Sequence, residues 1–209
     1  MVTRIDREIE VQGNDSRDSL GLLHVYTGDG RGKTSIALGT AVRAVGSGLK
    51  AYMIQFLKSG DTGELKTIKD HIPNMQIIQY GIEALREKQA KILDFNGLQN
   101  DTGATKFKFM PDNEEKEAAR MALEHATHIL KSKNFDLLLL DEINVALDKD
   151  LISMKDFRDF FSYNNNTEII CTGRDAPTEL IYLADYVTHL EDKKHPWKKG
   201  IKARKGIDY

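Results

Sequence analysis

The chain has 209 residues, 40% hydrophobic and 30% charged, a balance that suits one globular domain with a full core. Its formal net charge of −2 excludes a global basic field for nucleic acid. No apolar run is long enough to span a bilayer, and the single cysteine, Cys171, cannot form an internal disulfide, so a cytoplasmic location and no membrane partner are expected.

Residues 1–19 read as an extended or partly ordered arm. Met1 to Asp18 is polar and mixed in charge, without the apolar segment of a secretory leader, and Gln12 to Ser19 is rich in Gly, Asn, Asp and Ser. The first strand is expected over 22–26 and the first helix over 33–45, closed by Gly46-Ser47-Gly48. Between them stands Gly28-Asp29-Gly30-Arg31-Gly32-Lys33-Thr34-Ser35. A glycine-rich turn between strand and helix, ending in Gly-Lys-Thr, is a phosphate cradle. Its glycines let the backbone curl so that N–H groups point inward, and the helix start adds its dipole. Lys33 places an ammonium on the phosphates and the Thr34 hydroxyl can ligate Mg²⁺. The usual spacing is G-x-x-x-x-G-K-[ST]; here Thr27 stands at the first glycine position and Gly28 comes one residue late, so the loop is a tighter variant.

A second strand is expected over 50–57, a short helix over 64–71 and a third strand over 75–80. Gln55, Lys58 and Glu64 then fall beyond the carboxyl ends of strands, where open α/β sheets bind ligands. Over 81–110 the pattern is lost: a charged helix over 82–93, a loop over 96–105 and an alternating stretch over 106–110 make an irregular insertion of the kind used as a lid or binding loop. A helix with acids in its first turn follows over 111–131, with His125 on its packed side. Residues 135–142 contain four consecutive leucines, a central parallel strand covered on both faces, and end in Asp141 and Glu142. Acids at that end, beside the phosphates, can hold Mg²⁺ (or Mn²⁺) directly or through water. A helix over 153–163, a strand over 167–171 followed by Thr172-Gly173-Arg174, a helix over 177–184 and a last strand over 186–190 complete the pattern, before a basic, interrupted tail over 193–209. The whole is an α/β chain, a doubly wound, mostly parallel sheet in a single domain over 1–209.

Several segments together resemble one family: Tyr26-Thr27-Gly28 through Thr34, Gly39 to Gly46, Gln55-Phe56-Leu57-Lys58, Leu138 to Glu142, Thr172-Gly173-Arg174, Lys194-His195-Pro196-Trp197 and Gly200 to Tyr209. They are similar to the P-loop ATP:corrinoid adenosyltransferases, over roughly 21–80 and 112–209. The resemblance implies a RecA-like P-loop NTPase architecture. It also implies transfer of the 5′-deoxyadenosyl group of ATP to a Co(I) corrinoid, giving adenosylcobalamin and triphosphate. ATP is the co-substrate, the corrinoid the substrate, and Mg²⁺ rests on Thr34 and Glu142, with Asp141 acting through water. Lys33, Thr34 and Glu142 carry the catalytic roles, and Gly28, Asp29, Gly30, Arg31, Gly32, Lys33, Thr34, Ser35, Arg43 and Arg174 bind the nucleotide. A homodimer and an electron-donating reductase or flavoprotein are the implied partners. Members usually carry a Gly-aromatic segment with a Trp after the third strand; this chain has no Trp between Gly81 and Met110, where Phe95, Phe107 and Phe109 are candidates for a substitute, with a place in the core as the alternative for each. Two other readings stand beside this one, a RecA-like P-loop ATPase coupled to other work and a non-catalytic nucleotide- or corrinoid-binding module.

Overall fold

A computed structural model describes residues 17–58, 60, 62–81 and 113–207. The strands are β1 (Leu23–Thr27), β2 (Ala51–Gln55), β3 (Met75–Gln79), β4 (Leu137–Asp141), β5 (Glu168–Thr172) and β6 (Tyr186–His189). The helices are α1 (Lys33–Gly46), α2 (Gly63–His71), α3 (Asn113–Ser132), α4 (Ile143–Asp148), α5 (Met154–Phe161) and α6 (Thr178–Leu183). The six strands form one sheet of order β3-β2-β4-β5-β1-β6, and every pairing is parallel.

A parallel sheet needs both faces covered, and the period-2 alternation of the strands divides the core accordingly. Ala51, Met53, Leu137, Leu139 and Ile170 face one side, where Ala37 and Ala41 of α1 and Ile68 of α2 cover them. Leu23, Val25, Ile54, Leu138, Leu140, Ile169 and Cys171 face the other, under α3, α4, α5 and α6. The leucines of β4 are all fully or almost fully buried; each contributes about 1.5–3 kcal/mol on leaving water. Small Ala37 and Ala41 let α1 lie close to the sheet, which fixes the position of its N-terminus, where the phosphate loop ends.

Most boundaries shift from the sequence reading by a residue or two, and three of the departures bear on the site. The first strand lies one residue later than expected and runs through Thr27. The second ends at Gln55 rather than Leu57, because Leu57 turns the chain with φ of 55°. After Asp141 the chain does not simply loop: Glu142, at φ 65°, turns it at once into α4, a helix the sequence pattern had not suggested. The expected arm over 1–19, except for its last three residues, and the expected insertion with Phe95, Phe107 and Phe109 lie outside the described residues.

Candidate active site

Strands β1, β2, β4 and β5 deliver their last residues to one edge of the sheet, and Asp141 stands at its centre. The Asp141 side chain has no exposed surface. A buried carboxylate is retained only where hydrogen bonds and opposite charge replace water. Thr34 Oγ1 donates to its Oδ1 at 2.8 Å and Thr172 Oγ1 at 2.6 Å; Gln55 Nε2 donates to Oδ2 at 2.9 Å and Lys58 Nζ at 2.5 Å. These donors come from the first turn of α1, the ends of β5 and β2, and the turn after β2. Gln55 is itself held, accepting from Gln79 Nε2 at 2.8 Å and donating to Glu64 Oε1 at 3.3 Å. Thr172 Oγ1 also accepts the backbone N–H of Glu142 at 3.1 Å.

The phosphate loop lies beside this carboxylate. Lys33 is buried, and its Nζ donates to the carbonyls of Gly28 at 2.6 Å and Gly30 at 2.7 Å. Burial lowers its pKa, against the nearby charge of Glu142, which acts to raise it. Gly32 precedes α1 at φ 105° and offers no side chain to cap the helix. The first-turn N–H groups therefore carry the positive end of a fourteen-residue helix toward the loop.

Not every loop amide turns inward as expected. Gly30 N–H donates to Leu190 O at 2.8 Å, and Arg31 N–H donates to Asp192 Oδ1 at 3.3 Å. The residues after β6 therefore dock on the loop. A Cβ on Gly28 would stand 2.4 Å from Leu190 O, and one on Gly30 2.6 Å from Leu190 C. Close approach of another backbone segment requires these glycines. The departure at Thr27 has a local reason too: its buried hydroxyl accepts the Ala176 N–H at 3.1 Å and ties the turn after β5 to β1.

Of the residues expected around a nucleotide, the structure brings most to this edge. Glu142 faces Lys33, Lys58 and Arg174, and its pKa is raised, first by burial and then by Asp141. Arg174 and Asp29, both exposed, approach to 3.8 Å at the mouth of the loop. Arg31 extends to Ile207 O at 3.0 Å, and Ser35 lies exposed one residue beyond Thr34. Arg43 is the exception. It sits exposed in the last turn of α1, about 15 Å from Lys33 at about 1.5 Å per residue, away from the loop that the other residues surround.

The metal expectation also changes in emphasis. Thr34 Oγ1 meets Asp141, not Glu142, which makes Asp141 the carboxylate adjoining the loop hydroxyl. The oxygens of Thr34 and Asp141 are hard donors of the type Mg²⁺ takes, and Glu142 adds a further carboxylate nearby. Among the described residues no group of three or more His, Cys, Asp and Glu could hold a metal unaided. The donor set fits an ion whose remaining positions are filled by phosphate oxygens and water. A cavity of about 580 Å³ opens beside Thr34 and Ser35, lined also by Lys58, Glu64 and, from the tail, Gly206 and Ile207.

One buried residue gave no signal in the sequence beyond a lone polar side chain in an apolar stretch. Asn144 Nδ2 donates to Tyr26 O and to Gly173 O, each at 3.1 Å, locking the ends of β1 and β5 together. A Cβ on Gly173 would come within 2.9 Å of Asn144 Cβ, so the glycine before Arg174 is needed for this packing.

Comparison with known proteins places residues 19–209 in a match to a family described as ATP:corrinoid adenosyltransferase BtuR/CobO/CobP. The chain is similar to a corrinoid adenosyltransferase of Escherichia coli (strain K12), 29% identical over 99% of this chain and 94% of that protein. It is 31% identical to a corrinoid adenosyltransferase of Sinorhizobium sp, over 92% of this chain and 82% of that one. It is 28% identical to the corrinoid adenosyltransferase CobA of Salmonella typhimurium, over 99% and 94%.

Proposed function

The chain belongs to the ATP:corrinoid adenosyltransferase BtuR/CobO/CobP family, and on that premise we propose how its phosphate loop and β4 carboxylate serve transfer of the 5′-deoxyadenosyl group of ATP to a Co(I) corrinoid. The cobalt electron pair forms the bond to C5′, the C5′–O bond breaks, and its electrons leave with the triphosphate. The nucleophile is strong already. The protein has no proton to abstract and must instead orient ATP and neutralise the leaving group.

The observation that carries this reading is the meeting of loop and strand at one point: Thr34, beside Lys33, donates to Asp141 at the end of β4. Lys33 leaves its two carbonyl partners for phosphate oxygens, which are better acceptors for a charged donor. The first turn of α1 adds its free N–H groups. Thr34 and Asp141, with Glu142 alongside, would hold Mg²⁺, which would supply charge neutralisation to the triphosphate. Arg174, at the loop mouth, reaches the same group. A homodimer, a cytoplasmic location and a reductase or flavoprotein that supplies Co(I) belong to the same proposal; the family resemblance supports them. Among the described residues no helix is long and apolar enough to cross a membrane.

The test supplies ATP, Mg²⁺ and chemically reduced cobalamin. Adenosylcobalamin with intact triphosphate is the expected outcome. ADP and phosphate would identify an ATPase, and binding without turnover a non-catalytic module; either overturns the proposal.

A further inference from the structure

We propose that Lys58 is a resident cation for the position between Asp141 and Thr34, and that a divalent ion arriving with the triphosphate expels its ammonium toward the phosphates. The inference rests on the adenosyltransferase reading of this site. Lys58 Nζ lies 2.5 Å from Asp141 Oδ2 and 3.3 Å from Thr34 Oγ1. These are the two residues that fit Mg²⁺ beside the loop. The Thr34 hydroxyl proton is committed to Asp141 Oδ1, so its oxygen is turned to accept from the ammonium. An ammonium and a divalent ion thus claim the same oxygens, and two cations so close repel one another.

The remaining geometry sets where Lys58 goes. Asp141 is fully buried, whereas the Lys58 side chain is 25% exposed and lines the cavity beside Thr34 and Ser35. Its flexible four-carbon stem, on a turn shaped by the left-handed Leu57, lets the ammonium move while the carboxylate stays fixed by Thr172 and Gln55. Lys58 therefore does two things in sequence. It compensates Asp141 before nucleotide binds, and it adds positive charge to the triphosphate as that group leaves. The sequence motif Gln55-Phe56-Leu57-Lys58 acquires a reason: Gln55 anchors the carboxylate and Lys58 guards it.

The test uses Mn²⁺ alone as the probe. Its binding to the purified full chain, without nucleotide, is read from the electron paramagnetic resonance signal of the free ion. Lys58→Met should bind Mn²⁺ more tightly than wild type by about tenfold or more. Adding Asp141→Asn to Lys58→Met should remove that gain, and Lys58→Arg, which keeps the charge, should not show it. With Mg²⁺·ATP and Co(I) cobalamin, Lys58→Met should need less metal yet turn over more slowly, a split that a merely structural role would not give. Lys58→Gln serves if the Met variant fails to fold. Equal Mn²⁺ affinity in wild type and a folded Lys58 variant, or a gain that survives Asp141→Asn, overturns the inference. Thermal melting of the wild type with Mg²⁺·ATP separates the two levels: no stabilisation there would reject the underlying nucleotide site itself.

Discussion

Lys33 spends its two short hydrogen bonds on carbonyls of its own loop. Burial makes that a poor place for a charge, and anionic oxygens would improve it. Lys33→Ala should therefore lower kcat sharply; losing one such preorganised group typically removes about 2.7–4 kcal/mol of transition-state stabilisation. Single-turnover rates would show it, and a near-normal rate would remove the lysine from the account. Asp141 and Glu142 can be separated in the same way. Because the Thr34 hydroxyl meets Asp141, Asp141→Asn should raise the Mg²⁺ concentration needed for activity more than Glu142→Gln does. A metal titration of both variants decides, and the reverse order would move the ion toward Glu142.

Elements place these residues, and here the sequence was only partly legible. The phosphate loop, α1 and β4 could be read because each has a strong local signature: a Gly-Lys-Thr ending, small apolar residues at helical spacing, and a run of leucines. The docking of Leu190 and Asp192 on the loop could not be read, since it joins residues about 160 positions apart, through the Leu190 carbonyl and the Asp192 carboxylate on loop amides, and leaves no local pattern. Nor could α4, whose six residues are too few for a period and which starts from a left-handed Glu142. Arg43 matched a family segment, yet its distance from the loop follows only from the length of α1. The docking makes a prediction of its own. Gly30→Ala would place a methyl 2.6 Å from Leu190 C and 2.7 Å from Glu191 N, both backbone atoms that cannot swing aside. It should destabilise the fold by about 1–3 kcal/mol and weaken ATP binding with it. Denaturant unfolding together with a nucleotide titration reads both, and an unchanged midpoint would show that the tail yields freely.

At the scale of the whole molecule, a second polar cluster ties the strands together at the edge of the sheet opposite the loop. At the edge away from the loop, Glu168 of β5 accepts from His24 Nε2 at 2.5 Å and from the Gly21 and Leu22 amides at 2.9 and 3.0 Å. His24 in turn stacks on Tyr186 of β6 with ring centroids 4.6 Å apart. Burial pushes the Glu168 carboxyl upward, but those hydrogen bonds outweigh it and leave its pKa below the usual value. Its contribution to stability is therefore complete above the unfolded value, about 4.3, and is lost as pH falls through the lower folded value. Glu168→Gln should be less stable than wild type at neutral pH, and the gap should close in the acid range. Urea unfolding at a series of pH values tests this; a gap independent of pH would deny the carboxylate its role.

In the proposed reaction one edge, built from the loop, Thr34 and Asp141, holds ATP so that the whole triphosphate departs when a Co(I) corrinoid takes the adenosyl group. The most direct measurement is phosphorus NMR of a single turnover, with the corrinoid product quantified in the same sample. Triphosphate and adenosylated corrinoid should appear in equal amounts, with no ATP consumed when the reduced corrinoid is left out. ADP and orthophosphate, or ATP loss independent of the corrinoid, would contradict it.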